Sequence, residues 1–206
     1  MRMDHPLQNI RAPRLHPWGV QVLGCALLLG ALACEVRAQS TTVSSPNAAF
    51  SRPEVTSLGG VVPTAPVRLR VWGFEVYDAR LWTPVGFRHS AYTQFPFALE
   101  LQYLRKLEGA AIASRSIDEM RRVGSFSDAQ SQSWLAAMRE LFPDVRQGER
   151  ITGVNLPGVG AEFWVNGQRV GVVKDPAFAR LFFGIWLDER TSEPKMRAQL
   201  LQGLQP

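Results

Sequence analysis

Between residues 174 and 201 apolar side chains return at helical intervals: Phe178, Leu181, Phe182, Ile185 and Trp186 stand at i, i+3, i+4, i+7 and i+8. That spacing predicts a helix with one wide aromatic stripe, capped by Asp175 and opened by Pro176. A second helix follows, with Thr191 and Ser192 as caps, Glu193 and Pro194 in its first turn, and Met196, Leu200 and Leu204 on its apolar side. So broad a stripe needs a broad surface to lie on.

Earlier segments supply one. Residues 68–72 alternate, residues 75–82 continue with strand texture, and residues 97–103 alternate strictly, with Phe97, Leu99, Leu101 and Tyr103 on one face and Ala98, Glu100 and Gln102 on the other. Helical spacing returns over 114–122 and more strongly over 128–142, where Trp134, Leu135, Met138, Leu141 and Phe142 share a side and Pro143 ends the run. Strand texture resumes over 151–156, 161–165 and 168–173. Asn166-Gly167 between the last two is a type I′ hairpin signal. Strands and helices segregated in blocks predict an α+β domain, helices packed on one face of a large antiparallel sheet, rather than a doubly wound parallel fold.

The beginning of the chain has a different texture. Residues 1–38 read as a secretory signal peptide: Arg2, Arg11 and Arg14 precede an apolar run over 18–32, then small residues, with cleavage expected after Ala38 and export to a bacterial periplasm. Cys34, after Ala31-Leu32-Ala33, is a rival site for lipidation. Residues 39–66, rich in Ser, Thr, Pro and Val, read as a flexible linker or a short edge strand from Val55 or Val61-Val62, and residues 67–206 as one domain.

Charge and reactive residues then limit the chemistry. The chain carries +5, and without the leader a surplus of three, spread without basic runs interleaved with aromatics; nucleic acid is not an expected partner. Cys25 and Cys34 both fall in the leader, so the domain is expected to stand without disulfides. His5 and His16 fall there too, leaving His89, which reads as a loop histidine before it reads as a general base. No metal and no cofactor are expected. Asp118 and Glu119, adjacent on a helix, diverge and read as a solvated face, and Gly153, Gly158 and Gly160 read as turn residues rather than a phosphate loop.

Four segments carry a resemblance. They are Val71-Trp72-Gly73-Phe74-Glu75-Val76-Tyr77-Asp78-Ala79-Arg80-Leu81-Trp82, Ser116-Ile117-Asp118-Glu119-Met120, Phe142-Pro143-Asp144-Val145 followed by Gly148 and Ile151-Thr152-Gly153, and Phe182-Phe183-Gly184-Ile185-Trp186-Leu187 before Thr191-Ser192-Glu193-Pro194. In this order and spacing the chain resembles the bacterial exported branch of the chalcone isomerase-like family over nearly all of 67–201. The resemblance implies a large antiparallel sheet, a layer of helices on one side and an apolar cleft between them. In the enzymes of that family an arginine, hydroxyl side chains and water stabilise an enolate without metal or covalent intermediate; the fatty-acid-binding members hold a carboxylate with an Arg and a Tyr.

Carried over residue by residue, Tyr77 takes the strand position of the isomerase threonine and the fatty-acid binders' tyrosine. Arg68 or Arg70 is the nearest candidate for the cleft arginine. Around 116–122 the tyrosine and asparagine of the enzymes have no counterpart, and Phe182 and Phe183 stand where the enzymes place a small hydroxyl residue. The expected function is therefore ligand binding rather than catalysis: an apolar small molecule, such as a fatty or aromatic acid, held by Arg68, Arg70, Tyr77, Phe182 and Phe183. The alternatives are an intramolecular lyase acting on a chalcone-like enone, with Tyr77 as its catalytic acid, and a periplasmic interaction module docking through Trp164.

Overall fold

The computed structural model describes residues 52–206. The expected leader, Ala38, Cys34 and the first part of the expected linker lie outside the described residues. The elements run α1 (Pro53–Thr56), β1 (Val61–Pro63), β2 (Val67–Val71), β3 (Phe74–Pro84), a 3-10 segment (His89–Gln94), β4 (Phe97–Tyr103), α2 (Gly109–Val123), α3 (Asp128–Leu141), β5 (Arg150–Leu156), β6 (Gly160–Val165), β7 (Gln168–Val173), α4 (Pro176–Leu187) and α5 (Pro194–Leu200).

Every strand pairing is antiparallel. The order is β1-β3-β4-β5-β6-β7, and the long β3 also serves β2: its first half pairs β2, and its last residues pair β1. Val61, Val62 and Pro63 thus form an edge strand against Trp82, Thr83 and Pro84. The alternation of β4 sets the layering, because Phe97, Leu99, Leu101 and Tyr103 all lie buried under α2, α4 and α5.

The stripe on α4 meets this face. Asp175 caps the helix by accepting from the backbone N–H groups of Ala177 (2.8 Å) and Phe178 (3.3 Å), and its other oxygen accepts from Trp134 Nε1 at 2.9 Å, tying α4 to α3. Phe182 stacks on Phe178 and meets the edge of Phe163 of β6 at 5.1 Å between centroids. Each such ring is worth roughly 1.5–3 kcal/mol in water removed from apolar surface. Gly184 is where α2 comes closest, since a Cβ there would stand 2.6 Å from Val123 Cγ1. The second helix differs from expectation at its start. Glu193 is the N-cap residue and makes no side-chain cap, while Thr191 Oγ1 donates to the Ile185 carbonyl at 2.6 Å and accepts from the Glu193 N–H at 3.1 Å, so its hydroxyl bridges the end of α4 and the start of α5.

The other face of the sheet is less polar than its alternation suggests. Ala98 packs with Val55 and Val154, flanked by Trp82 and Trp164, under the single turn of α1. Glu100 is buried there in ion pairs with Arg52 and Arg150, and the buried Glu54 accepts from Thr152 Oγ1 at 3.2 Å.

Candidate functional site

Between the cavity half of the sheet and the helices lies a cavity of about 320 Å³. Its floor is Leu69, Val76, Tyr77, Leu101, Tyr103 and Ile151; its roof is Ile112, Ser116, Phe182, Ile185, Trp186 and Met196. A bulge shapes the floor: Leu69 pairs Tyr77 while Arg70 pairs Glu75, so Val76 is the extra residue. An extra residue lets two successive side chains, Val76 and Tyr77, face the same space.

Polar groups gather at one side. Trp186 Nε1 donates to the Tyr77 hydroxyl at 3.0 Å, and the Tyr77 and Tyr103 rings meet edge to face with centroids 6.1 Å apart. Among the described residues nothing accepts the proton of Tyr77. Burial pushes the Tyr77 phenol well above its ordinary value; the Trp186 hydrogen bond opposes this, and the carboxylates of Glu193 and Glu119 add to it. Burial likewise raises Tyr103. Both are therefore hydrogen-bond donors at physiological pH, not phenolates.

Arg115 and Glu119 stand one turn apart on α2 and form an ion pair at the cavity wall. The carboxylate is buried and is also approached by Arg122 Nε at 3.4 Å, whereas Arg115 is 68% exposed and reaches the rim. Ser116 spends its hydroxyl on the Ile112 carbonyl at 2.9 Å. The arrangement is one cation, two carboxylates (buried Glu119 and exposed Glu193) and one phenol with an unshared proton at the edge of an apolar chamber, suited to holding a single polar head above an apolar body.

Of the residues expected at the site, Tyr77 and Phe182 line the cavity and Phe183 does not: its ring packs on Phe97 at 4.9 Å in the core behind it. Arg68 and Arg70 alternate with Leu69 and Val71, which do line it, and so face the opposite way. Arg68 makes bidentate bonds to Asp78 (2.8 and 2.9 Å) and a third to Glu75 (2.9 Å), and Arg70 bonds Glu75 at 2.8 Å. The cation at the cavity is Arg115. Asp118 is exposed but Glu119 is not, so the adjacent pair splits between solvent and cavity. His89 lies away from the cavity, its pKa lowered by burial, its backbone N–H bonded to the Gln205 carbonyl at 3.0 Å. Trp164 packs over Ala98 and Val154 and donates to Glu162 at 2.8 Å.

A signal for the missed residues exists on α2. Ile112, Arg115, Ser116 and Glu119 stand at i, i+3, i+4 and i+7, a second stripe beside the apolar one of Ala113, Ile117 and Met120.

An antiparallel sheet, a helical layer and a lined cavity between them define a class of α+β domain. Residues 64–202 match the family model described as chalcone isomerase-like, and the chain belongs to that family. An uncharacterised protein of Haemophilus influenzae is 30% identical over 131 residues, which span 63% of this chain and 63% of that relative. The crystal structure of a fatty-acid binding protein from Arabidopsis thaliana superposes with a TM-score of 0.53 at 14% identity, covering 69% of this chain and 87% of that one. The fold is the chalcone isomerase fold.

Proposed function

We propose that this protein is an exported, non-catalytic carrier of a small, mainly apolar ligand with an acidic head, held between sheet and helices. The observation that carries the reading is the cavity itself. Apolar walls enclose it, the free Tyr77 proton points to a ligand oxygen, and the Arg115 guanidinium stands beside it. A ligand carboxylate would accept from Tyr77 and share Arg115 with Glu119, charge-assisted bonds made next to a low-dielectric chamber. The fatty-acid binding of the structural neighbour agrees with an apolar ligand. Catalysis is the weaker reading, because the raised Tyr77 phenol is a poor base and the Ser116 hydroxyl is committed to its own helix.

The test is titration with a fluorescent long-chain fatty acid and its methyl ester. The acid should bind more tightly than the ester, and Ile112→Trp, which fills the cavity from a partly exposed helix position, should abolish binding at unchanged Tm. Unchanged binding to Ile112→Trp would place the ligand elsewhere.

A further inference from the structure

We infer that the tip of the β2–β3 hairpin is a docking element for a lipid bilayer containing anionic headgroups, placing the cavity mouth against the membrane. Val71, Trp72 and Phe74 are exposed together, Trp72 at 95%; among the described residues the other exposed large apolar side chains are valines standing singly in sequence. The clustering is what sets the tip apart.

The backbone adds a second observation. Val71 pairs with Phe74 across Trp72-Gly73, and both turn residues have positive φ, 49° and 84°, which makes a type I′ turn. Asn, Asp or Gly suits the first position, and a tryptophan there is strained. No packing within the fold repays the strain, since the indole touches almost nothing. An indole held in that conformation and out in water is matched to a partner outside the chain.

Shape and charge favour a bilayer over a protein. The tip is a convex two-residue turn rather than a groove. Beside it Arg105 lies over the Phe74 ring at 5.2 Å, Lys106 is exposed next to it, and the Leu104 N–H bonds the Val76 carbonyl at 2.9 Å, holding this cationic turn against the hairpin. An indole seated at headgroup level with cations around it is the arrangement of interfacial anchors. Val71, Val76 and Leu107 belong to the cavity lining as well as to this corner, so an apolar ligand would pass from bilayer to cavity without crossing water. That passage rests on the ligand reading above; the docking does not.

The experiment is flotation of the full chain with vesicles of phosphatidylethanolamine and phosphatidylglycerol whose acyl chains carry bromine, which quenches an indole in contact with them. The wild type should float and be quenched. Trp72→Asn, which keeps a residue the turn accepts, should lose that increment of quenching and partition about tenfold less, while binding monomeric fluorescent fatty acid as the wild type does. Equal quenching and partition of the two chains would overturn the proposal, as would a wild type that stays unquenched, the result expected if position 72 serves a protein partner. Loss of fatty-acid binding in both chains, with the quenching difference intact, would remove the ligand reading and leave the docking.

Discussion

Two hairpins of this sheet close with the same turn and different residues. Between β6 and β7 the turn is Asn166-Gly167, with φ of 51° and 83°; between β2 and β3 it is Trp72-Gly73, with 49° and 84°. Asn166 is at ease in the left-handed region and uses its side chain, accepting from the Arg150 N–H at 2.8 Å and donating to Glu149 at 3.4 Å. Trp72 has neither comfort nor contacts. One turn is satisfied by its own side chain, and the other, next to the cavity-lining Val71 and Val76, keeps strain and exposed rings. Local rules are broken where the chain meets something other than itself.

Alkali should separate the two ends most strongly. Tyr77 and Tyr103 at the cavity, and Tyr92, pushed up to about 12 by burial, are all held above the ordinary tyrosine value. Below about pH 10 the phenols are neutral folded and unfolded, so they contribute no pH dependence; above it the unfolded chain loses protons that the fold retains, and stability falls. The slope reaches about 1.4 kcal/mol per pH unit for each fully protected tyrosine. Tyrosinate absorbance should stay silent through pH 10 and rise together with unfolding, and amide exchange should quicken in β2 and β3 before β6 and β7. A tyrosine titrating near 10 in the folded protein would erase the contrast.

The next effect is the reverse exchange of turns. Asn166→Trp should cost about 2–3 kcal/mol in denaturant unfolding, from left-handed strain of about 1–2 kcal/mol and loss of the bond to Arg150. It should confer little vesicle binding, because the hairpin there lacks the Phe74 and Arg105 neighbours. At the cavity, Arg115→Gln should weaken a fatty acid about tenfold, the size of one charge-assisted bond, and leave its methyl ester unaffected. Stability should fall by about 1 kcal/mol as well, because the buried Glu119 carboxylate then keeps only Arg122 at 3.4 Å as a cationic partner.

Much of this fold was legible in the sequence because its signals are local. The Phe97–Tyr103 and Gln168–Val173 strands stand at the bounds their patterns predict, Asp175 caps α4, and Asn166-Gly167 turns the last hairpin. The site was legible only in part. Tyr77 and Phe182 line the cavity, but Arg115 belongs to a helix whose polar residues, read alone, look like a solvated face. Ruling out Arg68 and Arg70 required knowing which strand face looks inward, and the bulge at Val76 changes that count within β3. Trp72 went unread for a different reason: inside a motif that marks the family, its backbone strain is invisible until φ is known.

A smaller effect bears on the strained turn directly. Trp72→Asn should stabilise the protein by about 1 kcal/mol, the left-handed strain that asparagine largely escapes. A gain in stability coupled to a loss of vesicle partition would show that position 72 is held against the fold's own preference; a loss of stability would mean that the indole packs more than its exposure implies, and the two turns would then differ only in residue type.

The smallest effect lies on the outward face of β2, and its smallness is the point. Arg68→Gln and Arg70→Gln remove cations that bond Asp78 and Glu75 on the exposed face of β2. Glu75 is held below the ordinary carboxylate range by those hydrogen bonds, yet pairs so open to solvent add little to stability and are screened by salt. Each variant should unfold at the wild-type denaturant midpoint and bind fatty acid as tightly. Weakened binding in Arg68→Gln alone would mean that the ligand reaches around the sheet edge, and that the cavity end is larger than the chamber between Tyr77 and Trp186.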